Sequence, residues 1–398
     1  MRKERCFSCR PRSCNSWLFT AALFMICGLL LAGCGGIRLG QSIKHRPSDW
    51  PMFARVPAHT NATTEAIQPP LSLVWQQDIN GGIGAGSPVV VDTLLFVGNL
   101  RGELQAMNAL TGKHLGRVNL GEAIQGAPVV IGNTAIVASA NVNESLSAFD
   151  LYEGRTRWKS SCGDIEASPL VYNNRVYVAN TQGVAFCVDK ITGEVLWKFE
   201  IPENIRRKGF RSSPAAEGDR VVIGGEDGIV YALDPERGKL RWTYNADASI
   251  VAPVGMSIDV VYAGDLNGTF HAVSANNGHP LWKFQTGSSI YAGPTIAPGT
   301  VVIGTTGGLL FALDTANGAV RWKTNLGGVI NSSAVAADSI LFVGTLAKQL
   351  FAIDVGNGSV LWKQETPGRI KTSPAAANGR LYIATDERLV LAFQGTKQ

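Results

Sequence analysis

From Leu71 onward the chain is written in short apolar runs such as "RVVIGG", "GIVYALD" and "KLRWTY", each rich in Val, Ile, Leu and aromatics and each cut off by Gly, Asn, Asp or Pro. No apolar residues recur at helical spacing between these runs, so the pattern predicts strands only. Their order is constant. A Ser-Pro pair (Ser87-Pro88, Ser168-Pro169, Ser213-Pro214, Ser373-Pro374) or a near relative (Ala127-Pro128, Ala252-Pro253, Gly293-Pro294) opens a unit, and three apolar runs follow before a run carrying a Trp closes it.

The tryptophans set the period. Trp75, Trp158, Trp197, Trp242, Trp282, Trp322 and Trp362 stand in line, with Gly116 in the vacant place between the first two, at spacings of 41, 42, 39, 45, 40, 40 and 40 residues. Four strands in each such interval make a β-propeller blade. After Trp362 a last unit supplies three strands and ends at Phe393, whereas "LSLVWQQ", Leu71 to Gln77, is an outer strand with no unit before it. Joining the two gives an all-β, eight-bladed β-propeller of four-stranded antiparallel blades, closed by the N-terminal strand in the last blade, with no exposed sheet edge left between the chain ends.

Within the unit, Asp, Gly and Trp recur at four-residue steps. Asp150, Asp189, Asp234, Asp314 and Asp354 end the third strands, where a carboxylate can accept from N–H groups of the following turn. Gly154, Gly193, Gly238, Gly278, Gly318 and Gly358 stand four residues on, where a positive φ reverses the chain. The Trp then lies on the outer strand and is expected to fill the wedge that widens between blades. Ala148, Ala232, Ala272, Ala312 and Ala352 leave room for the ring. All of these are expected to be scaffold. Gly116 marks either a groove between blades or a weaker wedge, the second being favoured.

The first 70 residues follow different rules. A basic start precedes the apolar run Trp17 to Ala32, which ends in "LAGC" at Cys34. This reads as a lipoprotein signal peptide over residues 1–33, with Cys34 as the lipidated first residue of the mature chain; an uncleaved helix with a coincidental Cys is the alternative. Residues 34–70 read as the lipidated Cys and a linker in which Trp50 and Phe53 pack on the propeller of residues 71–398. The whole chain holds 36 Lys and Arg against 31 Asp and Glu; taking away the five and one in residues 1–33 leaves 31 and 30. That balance gives no nucleic-acid footprint. Five of the seven Cys lie at or before Cys34; Cys187 stands where sister units have Ala, so a small buried side chain is expected, with a bridge to Cys162 as the alternative.

The repeat A-L-D-x-x-x-G-x-x-x-W resembles that of the PQQ-like β-propellers. With a lipobox and a single propeller, the chain is similar to the propeller lipoproteins of the outer-membrane β-barrel assembly machinery. That resemblance implies a non-enzymatic scaffold in the periplasm, lipid-anchored in the outer membrane, whose partner is the barrel-inserting channel; Gly35, in place of the Asp that signals inner-membrane retention, agrees with such sorting. Membrane contact by the lipid alone, a monomeric ring and no cofactor are expected. The rival reading is a propeller binding a PQQ-type cofactor or small ligand, as an enzyme or a sensor. Quinoprotein dehydrogenases carry a vicinal Cys-Cys disulfide over the quinone, and the mature chain has no such pair.

Other chemistry is thin. His45, His59, His114, His271 and His279 show no ligand spacing, and His271 occupies a position that is aromatic in sister units. "GGIGAG", Gly81 to Gly86, leads into a strand and not a helix, which excludes a phosphate loop. Partner binding is expected where the repeat breaks. The longest interval contains "FEIPENIRRKGFRSSP", in which Arg206, Arg207, Lys208, Phe210 and Arg211 form a basic, partly aromatic protrusion able to steer an acidic partner, or else a solvated insertion. "ASANVNESLSAF", from Ala138, is the second irregular stretch.

Overall fold

The computed structural model describes residues 36–202 and 209–395. Eight four-stranded antiparallel blades surround one axis. Blade 1 starts at the inner strand Val89–Val91, and blades 2 to 8 at Val129–Ile131, Leu170–Tyr172, Ala215–Glu217, Gly255–Ser257, Thr295–Ala297, Val335–Ala337 and Ala375–Ala377. The outer strand of blade 8 is Leu71–Asp78, antiparallel to Leu389–Gly395 with Leu73 opposite Phe393 and Trp75 opposite Ala392. The ring is therefore closed as the sequence predicts. Strands alternate in direction, so one face carries the outer-to-inner connections and the other carries the inner-to-second and third-to-outer turns. They are called the upper and lower faces.

The Asp-Gly-Trp motif joins neighbouring blades. Each repeat Asp caps its own turn: Asp150 Oδ1 accepts from the N–H groups of Tyr152 and Glu153, and Asp189, Asp234 and Asp354 do likewise. Asp150, Asp234 and Asp314 also pair with Arg157, Arg241 and Arg321, each one residue before a Trp. The indole N–H of Trp75, Trp158, Trp197, Trp242, Trp282 and Trp322 donates across the seam to the carbonyl one residue past the Asp position of the next blade, at 2.8–3.0 Å. The Gly of that next turn lies against the ring. A Cβ on Gly112, Gly193, Gly238, Gly278, Gly318 or Gly358 would stand 2.5–2.7 Å from an indole carbon, and the φ of each is positive. Glycine is needed there twice over, for the turn and for the neighbour's Trp. Trp362, facing blade 8, packs edge-on to Phe393 instead.

The seam between blades 1 and 2 has Gly116 opposite Ala106 and no ring. Residues Ile37 to Leu39 occupy it. A Cβ on Gly154 would meet the Ile37 carbonyl at 2.9 Å and Arg38 Cβ at 3.0 Å, and the Leu39 N–H donates 2.8 Å to the Leu151 carbonyl. That carbonyl, one past Asp150, is the one an indole would take. Ile37 is fully buried against Leu104, Phe149 and Leu151. Gly116 thus marks an occupied seam and not a weaker wedge.

The expected linker is also different. Residues beyond Leu39 bond along the lower side of blade 2 at Asn133 and then enter the ring. Trp50 exchanges backbone hydrogen bonds with Val90; Pro51, Pro57, Ala58, Thr60 and Asn61 accept from Val130, Ala216, Met256, Ile296 and Ala336. Ala62–Thr63 adds a fifth, parallel strand to blade 7. The segment forms a plug because the free edges of the inner strands offer unpaired N–H groups that it satisfies one blade at a time. His59, buried in it, bonds through Nδ1 to the Val254 carbonyl at 3.0 Å. Burial pushes its imidazole down to about 4, outweighing that bond.

Candidate functional site

Above the plug the axis opens into a funnel of about 340 Å³, floored by Phe53 and walled by the outer-to-inner connections of all eight blades. Its narrowness follows from the Gly and Ser residues that open each unit. A Cβ on Gly84 would meet the Gln125 carbonyl at 2.6 Å, which is the reason for the glycines of "GGIGAG". The Ser of the Ser-Pro pair accepts from the preceding blade: Ala127 N–H to Ser168 Oγ at 2.9 Å, Ser168 N–H to Ser213 Oγ at 3.0 Å, Ser333 N–H to Ser373 Oγ at 3.1 Å. Arg211, Lys371, Glu166, Gln125 and Asn331 supply its polar surface. Such a volume is at the small end of ligand pockets.

Of the predicted protrusion, Arg206, Arg207 and Lys208 lie outside the described residues, as do Cys34 and the signal segment. Phe210 is not presented to solvent. At 0% exposure it packs edge-on to Tyr231, 5.8 Å between centroids, because the chain re-enters the blade 3–4 core there. Arg211 is held between Glu166 and Glu226 at the funnel mouth, 3.0 Å from the latter. The structure thus makes the end of the loop an anchor, stapled by Phe210 and, before it, by buried Ile201. The signal for this was the apolar residue between charges, which reads equally well as exposed or buried.

The remaining candidates resolve into packing. Cys162 and Cys187 are both free and buried, and burial pushes their thiols up to about 12 and about 11. Cys187 faces Trp197 across its blade, as Ala faces Trp in the sister units. His271 lies in a fully buried chain, Nε2 3.0 Å from Asp265 and Nδ1 3.0 Å from the Tyr244 hydroxyl, which ties blade 5 to blade 4. Among the described residues there is no cluster of three His, Cys, Asp or Glu fit for a metal, and no helix long and apolar enough to cross a membrane. Among the described residues the funnel wall carries one carboxylate, Glu166, and it pairs with Arg211.

An eight-bladed ring with this repeat, its Trp-on-Gly seams and an axial funnel defines a PQQ-like β-propeller. A family model described as outer membrane protein assembly factor BamB matches residues 65–162, 185–335 and 326–397, and the chain belongs to that family. It is 28% identical over 138 residues to the outer membrane protein assembly factor BamB of Burkholderia pseudomallei, covering 33% of this chain and 35% of the relative. To that of Moranella endobia it is 31% identical over 148 residues, 33% and 37% of the two chains. Tetrathionate hydrolase of Acidithiobacillus ferrooxidans matches at 29% over 140 residues, 29% and 28%. The chain spans about a third of the length of these relatives. Among solved structures, BamB from Moraxella catarrhalis superposes with a TM-score of 0.68 at 19% identity, covering 83% of this chain and 99% of the other. Quinohemoprotein alcohol dehydrogenase from Comamonas testosteroni does so with 0.73 at 16%, covering 88% and 81%. At such identities these likenesses describe the fold.

Proposed function

We propose that this protein is a non-enzymatic scaffold of outer-membrane protein assembly, anchored in the outer membrane by a lipid on Cys34 and facing the periplasm. The observation that carries the reading is the family match through nearly the whole ring. Its support lies in what the ring is made of: Tyr244, His271 and Asp265 are sealed between blades, and at the funnel mouth Glu166 and Glu226 are engaged by Arg211. The partner is the barrel-assembly channel, met through Arg206, Arg207 and Lys208. Arg211 belongs to the frame of that loop through Glu166 and Glu226.

The test reverses Arg206, Arg207 and Lys208 to Glu in the full chain and isolates crosslinked partners from native membranes. Capture of the assembly channel is expected to fall by at least roughly tenfold while the melting temperature stays put, as cations facing an acidic partner govern association and not folding. Undiminished capture by the folded variant refutes the loop, and capture of no assembly component by the wild type refutes the scaffold reading. A small-ligand role for the funnel is the second reading, favoured by Arg211 and Lys371 on its wall; heat stabilisation by PQQ with Ca²⁺ would support it, and no shift is expected.

A further inference from the structure

The lower face is uneven in one respect. At the second residue past the Asp position, blades 4 to 7 carry Glu236, Asn276, Ala316 and Gly356, whereas blades 1, 2 and 3 carry Leu110, Tyr152 and Ile191. These three are 42%, 40% and 75% exposed, on consecutive third-to-outer turns. Exposed apolar residues at three adjacent turn tips are not explained by packing within the ring. Lys113 and Arg155 follow the first two turns and are exposed, as is Arg38 of the tail.

The tail meets the ring in the middle of this arc. Ile37 to Leu39 are locked into the seam between blades 1 and 2 by the Leu39 to Leu151 hydrogen bond and by burial of Ile37. Only Gly35 and Gly36 separate Ile37 from Cys34. At about 3.5 Å per residue, a lipid on Cys34 is held within roughly 10 Å of that seam. A tether so short leaves the ring little freedom to turn over.

We propose that the arc of Leu110, Tyr152 and Ile191 is a membrane-docking surface, set on the lipid headgroups by the locked tail. Amphipathic Tyr and aliphatic tips enter the interface while Arg38, Lys113 and Arg155 meet lipid phosphates. The upper face, with the funnel, is thereby turned toward the periplasm. This rests on the reading of Cys34 as the lipidated residue.

The experiment places the photocrosslinker p-benzoyl-phenylalanine in the full chain in place of Tyr152 or Ile191, and in place of Glu236, Asn276 or Ile258 as controls. Ile258 is 77% exposed on blade 5 of the same face, so it tests whether apolar exposure alone attracts lipid. In vesicles of phosphatidylethanolamine with a minority of phosphatidylglycerol, phospholipid adducts at residues 152 and 191 are expected to exceed the controls by roughly tenfold, as for side chains held in the interface against side chains in water. Equal yields overturn the proposal. Mass spectrometry of the N-terminal peptide reads acylation of Cys34 separately. If acylation fails, the chain from Cys34 onward is coupled through that thiol to a maleimide lipid, Cys162 and Cys187 being buried, and the same contrast decides the orientation. A flexible Gly-Ser insertion between Gly36 and Ile37 is expected to reduce the contrast; an unchanged contrast overturns the role given to the tail.

Discussion

The seam between blades 4 and 5 and the seam between blades 1 and 2 do the same job with different material. In the first, Trp242 lies on Gly278 and its indole donates to the Ala275 carbonyl. In the second, Ile37 and Arg38 lie on Gly154, and the Leu39 amide donates to the equivalent Leu151 carbonyl. A seam therefore requires volume in the wedge and one N–H aimed at one carbonyl, and does not require an indole. The difference is in what each is tied to. Trp242 is fixed on its own outer strand, while the tail also carries the chain toward Cys34 and, in the other direction, into the plug.

Replacing Trp242 by Ala is the harshest test of a filled seam. About 3–5 kcal/mol of stability should be lost in denaturant melts, since a nearly buried Trp leaves a cavity and an unpaired carbonyl. Acid tests the other side. Because His59 in the folded plug titrates near 4 and in the unfolded chain near 6.5, stability is unaffected above about 6.5 and falls by up to about 3 kcal/mol as pH drops to about 4. The turns of Asp189 and Asp314 stay silent in that window: N–H groups of Thr192 and Ile191 hold Asp189 below the usual carboxylate range, and Arg321 does so for Asp314. Hydrogen exchange between pH 7 and 4 should show the plug amides loosening first, and His59→Gln should abolish the step. The mildest test compares two alanines. Gly278→Ala drives a Cβ to 2.7 Å from the Trp242 indole, and Gly154→Ala to 2.9 Å from the Ile37 carbonyl, on a segment held by one backbone hydrogen bond and one buried side chain. Both incur the positive-φ strain of about 1 kcal/mol, and Gly278→Ala should cost about 1 kcal/mol more. Equal losses would mean that the tail is as rigid as the ring.

What the sequence conveyed follows from how local each rule is. The Trp spacing and the three-strand remainder ending at Phe393 sufficed for eight blades and for the closing partner of Leu71–Asp78, because period and count are read along the chain. The second duty of Gly278 could not be read, since the ring it receives belongs to a residue 36 positions earlier in another blade. The plug was illegible for a different reason. Residues 50 to 63 bind by backbone hydrogen bonds to successive inner strands, which leaves almost no side-chain periodicity, and only Trp50 and Phe53 betrayed contact. Phe210 shows the limit of a charged run as evidence: the cations around it suggested a surface, and the ring of Tyr231 took it inside.

The clasp that joins Leu71–Asp78 to Leu389–Gly395 also orders events in time. The strand that completes the last blade is made before the seven blades that separate it from its partner. For most of its emergence the chain carries an apolar edge with nothing to pair with, alongside a plug segment with few inner strands yet to hold it. A nascent chain halted before Leu389 is left with an orphan strand, and newly made copies need shielding from one another until the final hairpin arrives.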